Sequence, residues 1–143
     1  LQEKLAVIAR DEVRYAEYMV DDADIVVVGF GTSGRIALTA VKQARRQGIK
    51  VGLLRPITLF PFPERRLSQL ADEARGFLVV EMNAGQMVHD VREAIAGRAP
   101  VPFYGRMGGI IPLPEEIEAE IRRQYAAVSP RILMEARHGR SIR

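Results

Sequence analysis

Apolar residues change their spacing repeatedly along this chain, and each change marks an element. Ile25 to Val28 are β-branched without interruption, the pattern of a strand buried on both faces at the centre of a parallel sheet. Three other mainly apolar stretches, 50–54, 77–80 and 101–104, read as further strands. Between them the apolar positions fall at helical spacing: Ile36, Ala37, Ala40, Val41 and Ala44, then Leu67, Leu70, Ala71 and Ala74. The same spacing returns in Val88, Val91, Ala94 and Ile95, and again in Ile117, Ile121 and Tyr125. At the start, Leu5, Ile8, Ala9, Val13, Ala16 and Val20 predict one amphipathic helix over 3–20, ended by Asp21 and Asp22. The order α-β-α-β-α-β-α-β-α predicts a three-layer α/β/α, doubly wound, mainly parallel sheet of about four strands in the order 2-1-3-4. Loops 29–34, 55–63 and 81–86 then meet at the carboxyl edge of the sheet, where a functional site is expected.

Local signals agree with these boundaries. Ser33 or Thr32 can cap the helix after the first strand, and Gly48 closes it. Asn83 can cap the helix that follows the third strand. Pro114 stands at the first turn of the last helix, with Glu115, Glu116 and Glu118 complementing its dipole. The expected organisation is a single domain over 1–143. It has an N-terminal linking helix over 1–21, an α/β core over 22–127 and a basic tail over 128–143. A first residue of Leu rather than Met suggests a fragment of a longer subunit.

Composition narrows the function classes. The chain has 143 residues, 48% of them hydrophobic and 27% charged, enough for one core. No apolar run approaches the roughly 18–20 residues of a spanning helix, so no membrane partner is expected. The absence of cysteine removes disulfides and cysteine-held zinc or iron–sulfur clusters, and a cytoplasmic protein is the simple reading. The net charge is +3, but most basic residues alternate with acids and the basic tail carries no aromatics, so nucleic acid is not an expected partner.

The candidate chemistry centres on Gly29, Gly31 and Gly34, spaced G-x-G-x-x-G with Thr32 and Ser33 between the last two. Such a turn can gather backbone N–H groups around an anion. A dinucleotide fold also asks for an acid about 20 residues on, and there the chain has Arg55. Arg55 could meet a 2′-phosphate, which keeps an NADP-binding Rossmann domain open as an alternative. The simpler reading is that the glycines allow a sharp turn and close helix packing. The loop with Pro56, Pro61 and Pro63 exposes Ile57, Leu59, Phe60 and Phe62 to a partner chain or to its own domain. Glu81, with Asn83, Gly85 and Gln86, stands at a strand's carboxyl end, where it can act in catalysis or cap neighbouring amides. His89 and His138 have no partners at metal-ligand spacing, and no metal site is assigned. Ser33 lacks the context of a hydrolase nucleophile. The residues alone give an α/β domain without a complete catalytic set, and a plain oligomerisation domain also remains open.

Three stretches carry a resemblance: ADIVVVGFGTSGRIALTAVKQARRQGIKVGLLRPITLFPFP, FLVVEMNAGQMVHDV and FYGRMGGIIPLPEEI. Together, over about residues 22–118, they resemble the transketolase C-terminal-like domain of the α subunit of 2-oxoacid:ferredoxin oxidoreductases. The wording EMNAGQMVHDV and FYGRMGG is most similar to the 2-ketoisovalerate (branched-chain) branch, with the 2-oxoglutarate enzymes close by. The resemblance implies part of an enzyme that uses thiamine diphosphate with Mg to decarboxylate a 2-oxoacid oxidatively. Electrons leave through iron–sulfur clusters on other subunits to ferredoxin, and the acyl group passes to coenzyme A. It implies no cofactor and no catalytic residue in this chain, and an isolated domain without activity. The expected partners are the other subunits and domains of the complex. The glycine turn then becomes a support surface, with Gly29, Gly31, Thr32, Ser33 and Gly34 weak cofactor-binding candidates. Arg55, Phe60, Phe62, Glu81, Asn83, Gly85 and Gln86 are the interface or support candidates. Related domains often begin with an extra antiparallel strand, from which the helical pattern over 3–20 departs.

Overall fold

The computed structural model describes residues 1–82, 85–106 and 110–129, without the side chains of residues 6 and 8–11. Its elements are α1 (Gln2–Asp11), β1 (Tyr15–Tyr18), β2 (Ile25–Gly29), α2 (Gly31–Arg46) and β3 (Val51–Pro56). There follow α3 (Glu64–Leu70), β4 (Gly76–Glu81), α4 (Met87–Ile95), β5 (Phe103–Gly105) and α5 (Pro114–Val128). The strands form one sheet in the order β1-β3-β2-β4-β5. The four expected parallel strands are all present and in the expected relative order, with Ile25 of β2 level with Val51 of β3 and Gly76 of β4.

The start of the chain departs from the expectation. The helix stops at Asp11, and Tyr15–Tyr18 forms a fifth strand antiparallel to β3, with Ala16 opposite Arg55 and Tyr18 opposite Leu53. The sheet is therefore mixed and five-stranded. Its pairing energy comes from β3 rather than from local propensity, and Tyr15 and Tyr18 suit a pleated edge. Arg45 fixes the chain between β1 and β2: its Nε donates to the Val51 carbonyl at 2.7 Å and its Nη2 to the Met19 carbonyl at 2.8 Å. Asp22 accepts from Nη1 of the same guanidinium at 3.0 Å, and this hydrogen bond holds its carboxyl below the usual value of 3.8.

Strand alternation sorts the core into two layers. Val26, Val28, Leu54, Phe77 and Val79 face Leu67, Leu70, Val88, Val91 and Ile95 of α3 and α4. Ile25, Val27, Val51, Leu53, Leu78 and Val80 face Ala37, Ala40, Val41, Ala44, Ile117 and Ile121 of α2 and α5. Burying each of the larger side chains contributes about 1.5–3 kcal/mol. The small residues of α2 let that helix lie close to the sheet. Connections leave β2 to one side through α2 and reach β4 from the other through α3. The order therefore reverses between β2 and β4, and a crevice opens outside their carboxyl ends.

Candidate functional site

That crevice is a cleft of about 540 Å³ lined by Phe30, Gly31, Thr32, Ser33, Leu59, Val80, Glu81, Met82, Gln86, Met87 and Asp90. The three loops expected at the carboxyl edge all reach it.

The glycine turn forms one wall. Gly31 has φ of +60°, a conformation that glycine adopts without a Cβ clash. Gly29 and Gly34 touch backbone to backbone: a Cβ on Gly34 would stand 2.6 Å from the Gly29 carbonyl oxygen. This is the close helix–strand approach that the last glycine of the spacing permits. α2 begins at Gly31, inside the turn, so the expected caps Thr32 and Ser33 lie in its first turn. The N-cap residue is Phe30, which supplies no side-chain cap. Ser33 is 4% exposed, and Thr32 is open to solvent.

Glu81 forms the opposite wall, and of its two readings the structure shows the capping one. Its carboxylate accepts the Met87 N–H at 2.6 Å and the Val88 N–H at 3.2 Å, and the residue is 6% exposed. Both oxygens are spent on the first turn of α4, whose N-cap residue Gln86 gives no side-chain cap. The expected cap, Asn83, lies outside the described residues. Gly85 is buried with φ of +93°, its missing Cβ directed toward Val88 and Phe103. Gln86 is exposed on the cleft wall.

The proline loop supplies the rim. Its backbone is tied to its own domain: the Ile57 N–H donates to the Arg14 carbonyl at 2.9 Å, and Thr58 Oγ1 donates to the Pro61 carbonyl at 2.9 Å. Phe62 packs against the core, whereas Ile57, Leu59 and Phe60 point outward, Phe60 with 74% of its surface exposed. The loop thus packs on its own domain through Phe62 and its backbone, and leaves Ile57, Leu59 and Phe60 exposed. The Phe60–Pro61 peptide is cis.

Arg55 is not in the cleft. It lies on the β3 side of the turn, its Nε 3.0 Å from where a Cβ on Gly34 would stand, in a separate hollow of about 190 Å³ with Lys42 and Tyr18. His89 is exposed on α4, and His138 lies outside the described residues. Phe30, Met82, Met87 and Asp90 line the cleft without having been singled out from the sequence. Asp90 carried the one available signal, an acid in the first turn of a helix starting at the carboxyl edge.

At the end of β5 a second polar group closes the sheet. Tyr104 donates its hydroxyl to Glu116 Oε2 at 2.7 Å, and Arg106 donates Nη2 to the other oxygen at 2.5 Å. The Tyr104 bond, and then Arg106, hold the Glu116 carboxyl below its usual value of 4.5. Burial, reinforced by that carboxylate, raises the Tyr104 phenol above 10.0. Among the described residues no three His, Cys, Asp or Glu side chains converge as a metal site. No described helix is long and apolar enough to cross a membrane.

The sheet with its extra antiparallel edge strand and its switch-point cleft is that of a transketolase C-terminal-like α/β domain. The family model described as pyruvate:ferredoxin oxidoreductase core domain II matches residues 23–117, and the chain belongs to that family. A ketoisovalerate oxidoreductase subunit VorB from Methanothermobacter thermautotrophicus is 57% identical over 109 residues, covering 76% of this chain and 31% of the relative. A 2-oxoglutarate synthase subunit KorA from Methanothermobacter marburgensis is 43% identical over 97 residues, covering 68% of this chain and 26% of the relative. The chain therefore spans less than a third of the length of these relatives. A solved 2-oxoglutarate:ferredoxin oxidoreductase from Magnetococcus marinus, with 2-oxoglutarate, coenzyme A and succinyl-CoA bound, has a similar fold. It matches with a TM-score of 0.73 at 22% identity, over 82% of this chain and 21% of that one.

Proposed function

We propose that this chain is a non-catalytic, subunit-organising domain of a thiamine-diphosphate-dependent 2-oxoacid:ferredoxin oxidoreductase of the 2-ketoisovalerate or 2-oxoglutarate type. The parent enzyme would decarboxylate its 2-oxoacid oxidatively, pass the acyl group to coenzyme A and deliver electrons to ferredoxin. The observation that carries the reading is Glu81. The buried acid of the cleft, placed where an α/β fold puts its chemistry, is bound to the two amides of Met87 and Val88 and holds the loop. Beside it, Phe30, Ile57, Leu59 and Phe60 offer apolar surface on a backbone fixed by hydrogen bonds. Such a rim suits packing against another domain or subunit better than it suits free solution.

Among the described residues no three His, Cys, Asp or Glu side chains converge, and the chain has no cysteine to hold an iron–sulfur cluster. On this reading thiamine diphosphate, its Mg²⁺ and the clusters belong to other domains and subunits. The purified chain, supplied with 2-ketoisovalerate or 2-oxoglutarate, thiamine diphosphate, Mg²⁺, coenzyme A and ferredoxin, is expected to release no CO2. Coenzyme-A-dependent decarboxylation by the chain alone would overturn the assignment.

A further inference from the structure

Four arginines among the described residues are half-buried: Arg45, Arg55, Arg66 and Arg106. Three of them meet a carboxylate: Arg45 that of Asp22, Arg66 that of Glu17 and Arg106 that of Glu116. Arg55 meets none, and its guanidinium has neither an ion pair nor a hydrogen bond among the described residues. A charge drawn out of water without a partner is costly. Its place in the fold is fixed, because it stands on β3 between β1 and β2. Its Nε lies 3.0 Å from where a Cβ on Gly34 would stand, in the first turn of α2. That end of a helix is its positive pole, so α2 supplies no counter-charge. The hollow beside Arg55, of about 190 Å³, has Tyr18, Leu38 and Leu53 in its walls and a second cation, Lys42. The Lys42 ammonium rests 5.7 Å from the centre of the Tyr18 ring and has no acid partner among the described residues. The acid of the lining, Glu17, has its carboxylate taken by Arg66.

We propose that this hollow binds a phosphoryl group, received by the Arg55 guanidinium and the Lys42 ammonium. The charge count favours a dianion, since two cations stand without an acid and a single carboxylate would offset only one. A phosphoryl group gathers about −1.5 to −2 charge on one compact centre. That suits a hollow of about 190 Å³ better than two carboxylates on separate side chains. The planar fork of a guanidinium matches two phosphoryl oxygens, and a lysine adds a point charge. Free phosphate and an organic phosphate monoester present the same group to these residues. The site is separate from the switch-point cleft, and the inference rests on this chain's own residues rather than on the assembly reading.

The test is amide-resolved NMR of the labelled chain, titrated at constant ionic strength with inorganic phosphate, glycerol 3-phosphate, acetate and the blocked peptide acetyl-Asp-Glu-amide. Saturable shifts are expected at Tyr18, Lys42, Leu53 and Arg55 with either phosphate, and none with acetate. Tighter binding of inorganic phosphate assigns the free ion, and tighter binding of glycerol 3-phosphate assigns an organic monoester. Arg55→Met keeps an unbranched side chain without the charge and should weaken binding roughly tenfold or more. Lys42→Gln alters an exposed helix position, which keeps the test open if Arg55→Met does not fold, and should weaken binding several-fold. Arg65→Gln removes an exposed cation of α3 outside the hollow and should bind as the parent does. The inference is overturned if neither phosphate gives saturable shifts at these amides, or if acetate binds as well as they do. It is overturned equally if Lys42→Gln, or a folded Arg55→Met, keeps the parent's affinity. Tighter binding of the acidic peptide than of either phosphate also overturns it, and makes the hollow a seat for carboxylates of another chain.

Discussion

The carboxylate of Glu81 receives the backbone N–H of Met87 at 2.6 Å and that of Val88 at 3.2 Å, so the end of β4 and the start of α4 are clasped by one buried side chain. A residue placed by the topology at the carboxyl edge thereby caps a helix. Glu81→Ala leaves two amides without an acceptor and should lower unfolding stability by about 1–3 kcal/mol. Glu81→Gln, which keeps one accepting oxygen, should lose less. Urea unfolding of the two variants beside the parent measures both, and an unchanged midpoint for Glu81→Ala would remove the clasp from the account.

Gly34→Ala puts a methyl 2.6 Å from the Gly29 carbonyl oxygen, and neither backbone can yield without moving α2 from β2. The expected cost is roughly 1–3 kcal/mol, as for other overpacked core positions. Thermal unfolding checks it. A variant as stable as the parent would mean that the last glycine of the turn is dispensable.

Arg45 ties the β1–β2 connection, at Met19 and Asp22, to Val51 of β3 through all three guanidinium nitrogens, a geometry that a lysine ammonium cannot reproduce. Arg45→Lys should therefore destabilise by about 1–3 kcal/mol. In Arg45→Ala the Asp22 carboxyl, now held low chiefly by its hydrogen bond to Arg45, should titrate closer to 3.8. Carboxyl NMR titration follows that shift directly, and an unmoved Asp22 would contradict the assigned cause.

Stability should fall at both ends of the pH range through the Tyr104–Glu116–Arg106 cluster, with Asp22 adding to the acid limb. Glu116 titrates below 4.5 in the folded chain, so its contribution is complete above 4.5 and is lost as pH falls through the lower folded value. Tyr104 titrates above 10.0, so its contribution is complete below 10.0 and is lost as pH rises through the higher folded value. Tyr104→Phe removes the hydroxyl common to both and should flatten the alkaline limb fully and the acid limb in part, because Arg106 still holds Glu116. The urea midpoint as a function of pH reads both limbs. An alkaline limb unchanged in Tyr104→Phe would show that another group causes it.

Three of the four parallel strands were legible because Ile25–Val28, Leu53–Leu54 and Phe77–Val80 are buried on both faces, which leaves unbroken apolar runs; β5, a partly exposed edge strand, was legible from the short stretch 101–104 after Pro100. β1 was not, because an edge strand has no such need: Tyr15, Ala16 and Glu17 are exposed and bear no two-faced apolar pattern. Val13, Ala16 and Val20 continue the helical spacing of Leu5, and only the partner strand β3 overrides it. The cleft's three loops followed from topology. The identity of its wall did not, since Phe30, Met82 and Met87 reach it through the path of loops that sequence spacing does not encode. Glu81 was narrowed to two roles by its position, and of these the structure shows the capping of the α4 amides.

The central claim is that this domain holds an assembly together and does no chemistry itself. Its most direct test is Phe60→Asp in the complete parent complex, because Phe60 is 74% exposed and the change leaves the domain's own core intact. Two quantities are read: the fraction of subunits that assemble, and the turnover of the assembled complex per active site. The account predicts a smaller assembled fraction with turnover per assembled site unchanged. Normal assembly with reduced turnover would place this rim at the chemistry and contradict it.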